Sequence, residues 1–116
     1  MDYKKLLIGV LWFLLAQSLS WFQSNGQFIS IWIKQHPIIT AAIGGIPIGI
    51  GYIYGTTYIV EAFEGKLWGA RLLGFATGIF TFTILTYILM KEGISLKTAT
   101  ILGLASIIVI LQVFWK

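Results

Sequence analysis

The chain has 116 residues, 58% of them hydrophobic and only 10% charged, with a net charge of +4 and a mean hydropathy of +0.90. Soluble domains carry about 25% charged residues, and eight basic with four acidic side chains cannot coat a water-soluble surface of this size. The composition excludes a soluble enzyme, a nucleic-acid-binding domain and a secreted disulfide scaffold, and it reads as one integral membrane domain over residues 1–116.

A bilayer core about 30 Å thick takes around 20 apolar residues of helix. The first such stretch is 6–22, free of charge and interrupted only by Gln17, Ser18 and Ser20. Lys4 and Lys5 before it, and Ala16-Gln17-Ser18 within it, also give it the layout of a signal peptide. We read it as a retained helix. Residues 27–34 are apolar but too short to span, which marks an interfacial or re-entrant segment with Trp32 at headgroup depth. Trp21, Trp68 and Trp115 fall at expected span ends, where an aromatic belt sits.

The second span, 37–60, is dense in glycine. Gly44, Gly51 and Gly55 share one face, while Gly45–Gly49 and Gly51–Gly55 are GxxxG pairs that let helix backbones approach closely. The alternative use of so much glycine is a partly unwound helix that offers carbonyls to an ion. Pro47 removes one backbone hydrogen bond, so a kink or break is expected near Ile43. The stretch 61–71 reads as a charged loop in which Glu61 and Arg71 bracket two helix ends and pair.

The third span, 72–90, repeats the small-residue pattern at Gly74–Gly78 and carries Thr77, Thr81, Thr83 and Thr86. These hydroxyls either bond back to the carbonyl one turn earlier or form a polar track. The fourth span is 98–115. Gln17 and Gln112 are the amides expected at membrane depth, where each needs a protein partner and so either glues helices together or lines a site. No Asp, Glu, Lys or Arg lies inside any of the four stretches, which argues against proton-driven antiport.

The fold class is therefore all-α, with four transmembrane helices and a short interfacial segment between the first two. No stretch alternates as a barrel strand would. With four spans, Lys4, Lys5, Lys66, Arg71 and Lys116 share one side against Lys34, Lys91 and Lys97. That excess favours cytoplasmic termini in an inner or plasma membrane, bacterial or virally encoded, and is small enough to allow insertion both ways. The basic residues punctuate the apolar runs without clustering, so they serve headgroup anchoring and not nucleic acid. With no cysteine and only His36, neither a thiolate nor a multi-histidine metal site is expected. There is no cofactor motif, no catalytic residue pattern and no nucleophile at membrane depth, so we do not expect an enzyme.

Residues 92–98, followed by Gly103 and the aliphatic run 107–109, resemble the end of drug/metabolite transporters, including the small multidrug resistance proteins. The resemblance implies a transporter whose first helix binds substrate and protons through a mid-helix glutamate. Here Gln17 is the only comparable position. Residues 74–83 resemble the third-helix motif of fluoride channels. That resemblance implies a dual-topology dimer with Thr81 and Phe82 lining an ion path, although the asparagine of their second helix has no counterpart in 37–60.

The leading expectation is a small transporter-like membrane protein acting as a homo-oligomer, a dimer being favoured because four helices bury little of their own surface. The alternatives are a passive anion channel lined by Thr77, Thr81 and Phe82, and a non-transporting subunit packed on a larger membrane partner. A transporter requires Gln17 to face a cavity. A channel requires Thr77 and Thr81 to face a continuous polar path. A subunit requires Gly45, Gly49, Gly74 and Gly78 to be covered by another chain.

Overall fold

The computed structural model describes residues 1–115; Lys116, counted above toward topology, lies outside the described residues. Five α-helices follow one another, α1 (Tyr3–Asn25), α2 (Ile31–Gln35), α3 (Pro37–Ala62), α4 (Leu67–Met90) and α5 (Leu96–Phe114), with a 3-10 turn, Gly26–Phe28, after α1. There is no strand among the described residues. Four of the helices are long and apolar enough to cross a membrane, because only a closed hydrogen-bond ladder spares the backbone in lipid. The all-α, four-span reading is matched, and the chain is an integral membrane protein.

The helix ends are set by local chemistry. Asp2 caps α1, its carboxylate accepting from the Lys4 and Lys5 amides at 3.1 and 3.2 Å. Pro37 occupies the first turn of α3, where its missing N–H costs nothing. Ser95 caps α5 by accepting from the Thr98 amide at 3.2 Å. Lys91 closes α4 in the left-handed conformation with φ 57°.

Two boundaries differ from the sequence expectation. The turn after α3 is far shorter than 61–71, because Glu64 (φ 58°) and Gly65 (φ 87°) reverse the chain within four residues. Phe63 then folds over Gly69, where a Cβ would collide with its ring. Arg71 is thereby drawn into α4. The expected Glu61–Arg71 pair is replaced by Lys5–Glu61 at 3.1 Å, which ties α1 to the end of α3. The expected break near Ile43 is also absent, since α3 runs unbroken through Pro47. Pro47 is exposed beside Ile43 and Ile46, so its ring stands clear of the packed face and the rest of the ladder carries the helix.

The helices form a thin slab of 47 × 35 × 18 Å. α1 lies in the middle, packed on α3 along one flank and α4 along the other, and α5 packs on α4. Small residues permit the α1–α3 contact. A Cβ on Gly51 would sit 2.9 Å from the Ala16 Cβ, and one on Gly55 would sit 2.5 Å from the Phe13 ring. Gly9 answers from α1, where a Cβ would collide with Ile59. Phe13, Ala16, Ile59, Leu73 and Ala76 are buried around this seam. Burial does not drive this association in lipid, so close backbone approach supplies it through dispersion. The residues 27–34 become the 3-10 turn and α2, where Trp32 stacks on His36 with centroids 4.4 Å apart.

Candidate functional site: a groove centred on Gln17

Gln17 lies about 21 Å along α1, a helix about 35 Å long at 1.5 Å per residue. Its amide nitrogen donates to the Gly74 carbonyl of α4 at 2.9 Å. Three adjoining open cavities share Gln17 in their walls. The first, of about 540 Å³, lies where α1, α3 and α4 meet and is bordered by Phe13, Tyr52, Thr56, Arg71 and Phe75. The second, about 550 Å³, continues between α4 and α5 past Gly78, Phe82, Thr83 and Thr98. A third of about 350 Å³ extends along α1 to Ser20, Ser24 and Asn25. Gly74 and Phe75 border the first two, and Gly78 and Phe82 border the second and third, so the three form one groove.

The α4 wall of this groove runs from Leu67 to Thr83, about 24 Å of helix and most of the thickness of a bilayer core. Its polar groups are amides, hydroxyls and one guanidinium. Ser20 and Ser24 stand one turn apart on α1, as do Tyr52 and Thr56 on α3, so each pair faces one way.

The other sequence candidates divide sharply. Phe82 is 53% exposed and forms part of the groove wall. Thr77 is buried, and its hydroxyl donates to the Leu73 carbonyl at 2.8 Å within its own helix. Thr81 is also buried, its hydroxyl has no partner among the described residues, and it borders none of the three cavities. Thr77 and Thr81 therefore face the packed interior, not a polar track. Thr83 bonds back to the Ile79 carbonyl at 2.9 Å yet borders the groove, while Thr86 accepts from the Trp21 indole N–H at 3.0 Å. Trp21 is only 4% exposed, so it is a core residue and not part of a belt; Trp32, Trp68 and Trp115 are exposed.

Gln112 lies near the C-terminal end of the fourth candidate span. It sits two residues before the end of α5, beside Met1, Glu64 and Lys66, about 3 Å from the helix terminus at 1.5 Å per residue. It lines two separate cavities, neither of which has Gln17 in its wall. The glycines also separate by role. Gly44 lies under the Gln23 amide, Gly51 and Gly55 make the α1 seam, and Gly74 and Gly78 lie under Phe13 and Gln17. Gly45 and Gly49 meet nothing within 4 Å and leave an open strip on α3.

Arg71, Tyr52 and Thr56 are the groove residues that sequence reasoning missed. Arg71 follows a charged, glycine-containing stretch that reads as a loop, and the one-turn spacing of Tyr52 and Thr56 is masked by the glycines around it. No group of three or more His, Asp, Glu or Cys that could hold a metal occurs among the described residues. Compared with protein-family models, curated proteins and solved structures, the chain matches none.

Proposed function

We propose that this protein is a small membrane transporter that moves a small solute or ion along the groove centred on Gln17, acting as a homo-oligomer. The observation that carries the reading is the position of Gln17. Its amide is held by one hydrogen bond to Gly74, and the half-buried side chain lines all three cavities of the groove. An amide that served only as glue would be enclosed between helices. Along the same groove stand Ser20, Thr56 and Thr83, and polar groups facing acyl chains carry a desolvation cost that a second copy or a water-filled path relieves.

A slab 18 Å thin leaves its groove open on one face, and a second copy would close it. The bare Gly45–Gly49 strip offers a close-contact surface for that copy. The same strip would serve contact with a larger membrane partner, so assembly without any flux would favour the accessory-subunit reading. The passive-channel reading is weaker, because Thr77 and Thr81 turn away from the groove. The excess of Lys4, Lys5, Lys66, Arg71 and Lys116 over Lys34, Lys91 and Lys97 places both termini in the cytoplasm in this reading.

The test is solute and charge movement in liposomes holding purified protein, over a panel of anions, organic cations and neutral solutes. Gln17→Leu is expected to cut the flux at least tenfold while the helical fold persists. Flux that is unchanged in Gln17→Leu contradicts the site, and silence across the panel contradicts the function.

A further inference from the structure

We infer that the first cavity of the groove is a binding site for an amphipathic anion, a carboxylate or phosphate head on an apolar body. This assignment of substrate class rests on the transport reading above. It starts from the charges. The chain has four acidic side chains, Asp2, Glu61, Glu64 and Glu92. Asp2 caps α1. Glu61 is engaged by Lys5 at 3.1 Å. Glu64 borders the separate Gln112 cavity together with Lys66. Glu92 lies beyond the far end of α4. Among the described residues none of them borders the first cavity, where Arg71 is the one charged residue in the wall. Arg71 forms no ion pair and no side-chain hydrogen bond among the described residues.

Three further donors border the same cavity. The hydroxyls of Tyr52 and Thr56 donate to no protein group among the described residues, and Gln17 keeps one amide hydrogen after its bond to Gly74. Phe13 and Phe75 complete the wall with apolar faces. A guanidinium with free hydroxyl and amide donors, no carboxylate and aromatic walls recognises an acidic oxygen head and buries an apolar body. It repels an organic cation. Arg71 is about 6 Å along α4 from Leu67, so the head binds near the membrane surface and the body points toward Gln17. The same chemistry fits a soluble carboxylate entering from water and the headgroup of an anionic lipid entering from the bilayer.

The probes are benzoate, phosphatidylglycerol and benzylamine, titrated calorimetrically into purified full-length protein in phosphatidylcholine nanodiscs. Benzoate is expected to bind wild type and Lys66→Gln alike, with at least tenfold weaker binding by Arg71→Gln and partial recovery in Arg71→Lys. Tyr52→Phe and Thr56→Val keep the charge and shape, and their joint loss should weaken binding severalfold even if Arg71→Gln fails to fold. Phosphatidylglycerol that displaces benzoate in an Arg71-dependent way identifies lipid as an occupant; benzoate binding unaffected by it identifies a soluble anion. Benzylamine binding in preference to both, or anion binding equal in wild type, Arg71→Gln and the double variant, overturns the assignment. Flux separates the two readings. Anion binding without flux of any solute removes the transport reading and keeps the site, whereas amine flux without anion binding keeps transport and removes the anion site.

Discussion

The Gln17 amide lies across Gly78 while donating to the Gly74 carbonyl at 2.9 Å, and a Cβ on Gly78 would come within 3.0 Å of its nitrogen. The Gly74–Gly78 pair, which reads in sequence as a helix-packing motif, thus makes room for a polar side chain between two candidate membrane spans. A large residue at 78 should push the amide off its carbonyl. Gly78→Leu is expected to lose at least tenfold in flux while circular dichroism shows an intact helical fold; full activity in that variant would detach Gln17 from function.

Gly55 and Gly45 provide a contrast within one helix. A Cβ at 55 would sit 2.5 Å from the Phe13 ring, whereas one at 45 meets nothing within 4 Å. Gly55→Ala should destabilise the fold by about 1–3 kcal/mol through overpacking. In the dissociated chain Gly45→Ala should be neutral or stabilise by up to about 1 kcal/mol, as helix propensity favours alanine. Unfolding by denaturing detergent measures both, and equal effects would contradict the α1–α3 seam.

The open strip makes a separate prediction about assembly. Gly49→Leu adds bulk where the single chain has no neighbour, so it should leave the monomer folded and disrupt the homo-oligomer. Size-exclusion chromatography with light scattering reads the outcome, and an unchanged oligomer rules out that strip as the contact.

Trp21 and Thr86 join α1 to α4 through a buried hydrogen bond of 3.0 Å. Such bonds in membranes average about 0.6 kcal/mol and reach about 1.7. A double-mutant cycle with Trp21→Phe and Thr86→Val should give a coupling in that range, and zero coupling would place Trp21 outside the core.

The four spans were legible because lipid demands long, uncharged, self-bonded helices, and 6–22, 37–60, 72–90 and 98–115 all meet that demand. Their ends were less legible. Polar residues such as Ser24 and Arg71 continue a helix past the apolar run when a cap or tight turn lies further on, and hydropathy does not register that. Gln17 stood out as a lone amide deep in a span. Gln112 stood out for the same reason, but it lies two residues before the end of its helix and lines a cavity with Glu64 and Lys66, apart from the groove. Thr77 and Thr81 were ambiguous because which face of α4 meets α1 depends on packing among nearly uniformly apolar helices. Gly9 escaped notice because a lone glycine carries no spacing signal. It matters only because Ile59 lies opposite.

The central claim is that the groove around Gln17 is a wetted path through an otherwise lipid-facing protein. The chain contains no cysteine, so single cysteines can be introduced without removing native ones. Phe75→Cys and Phe82→Cys, on the groove wall, should react with a membrane-impermeant thiol reagent in liposomes. Ile46→Cys and Ile53→Cys, 71% and 67% exposed on α3 away from the groove, should remain unreactive. The account predicts that ordering of reaction rates, with protection of position 75 by a transported solute. Positions 75 and 82 reacting no faster than 46 and 53 would contradict it.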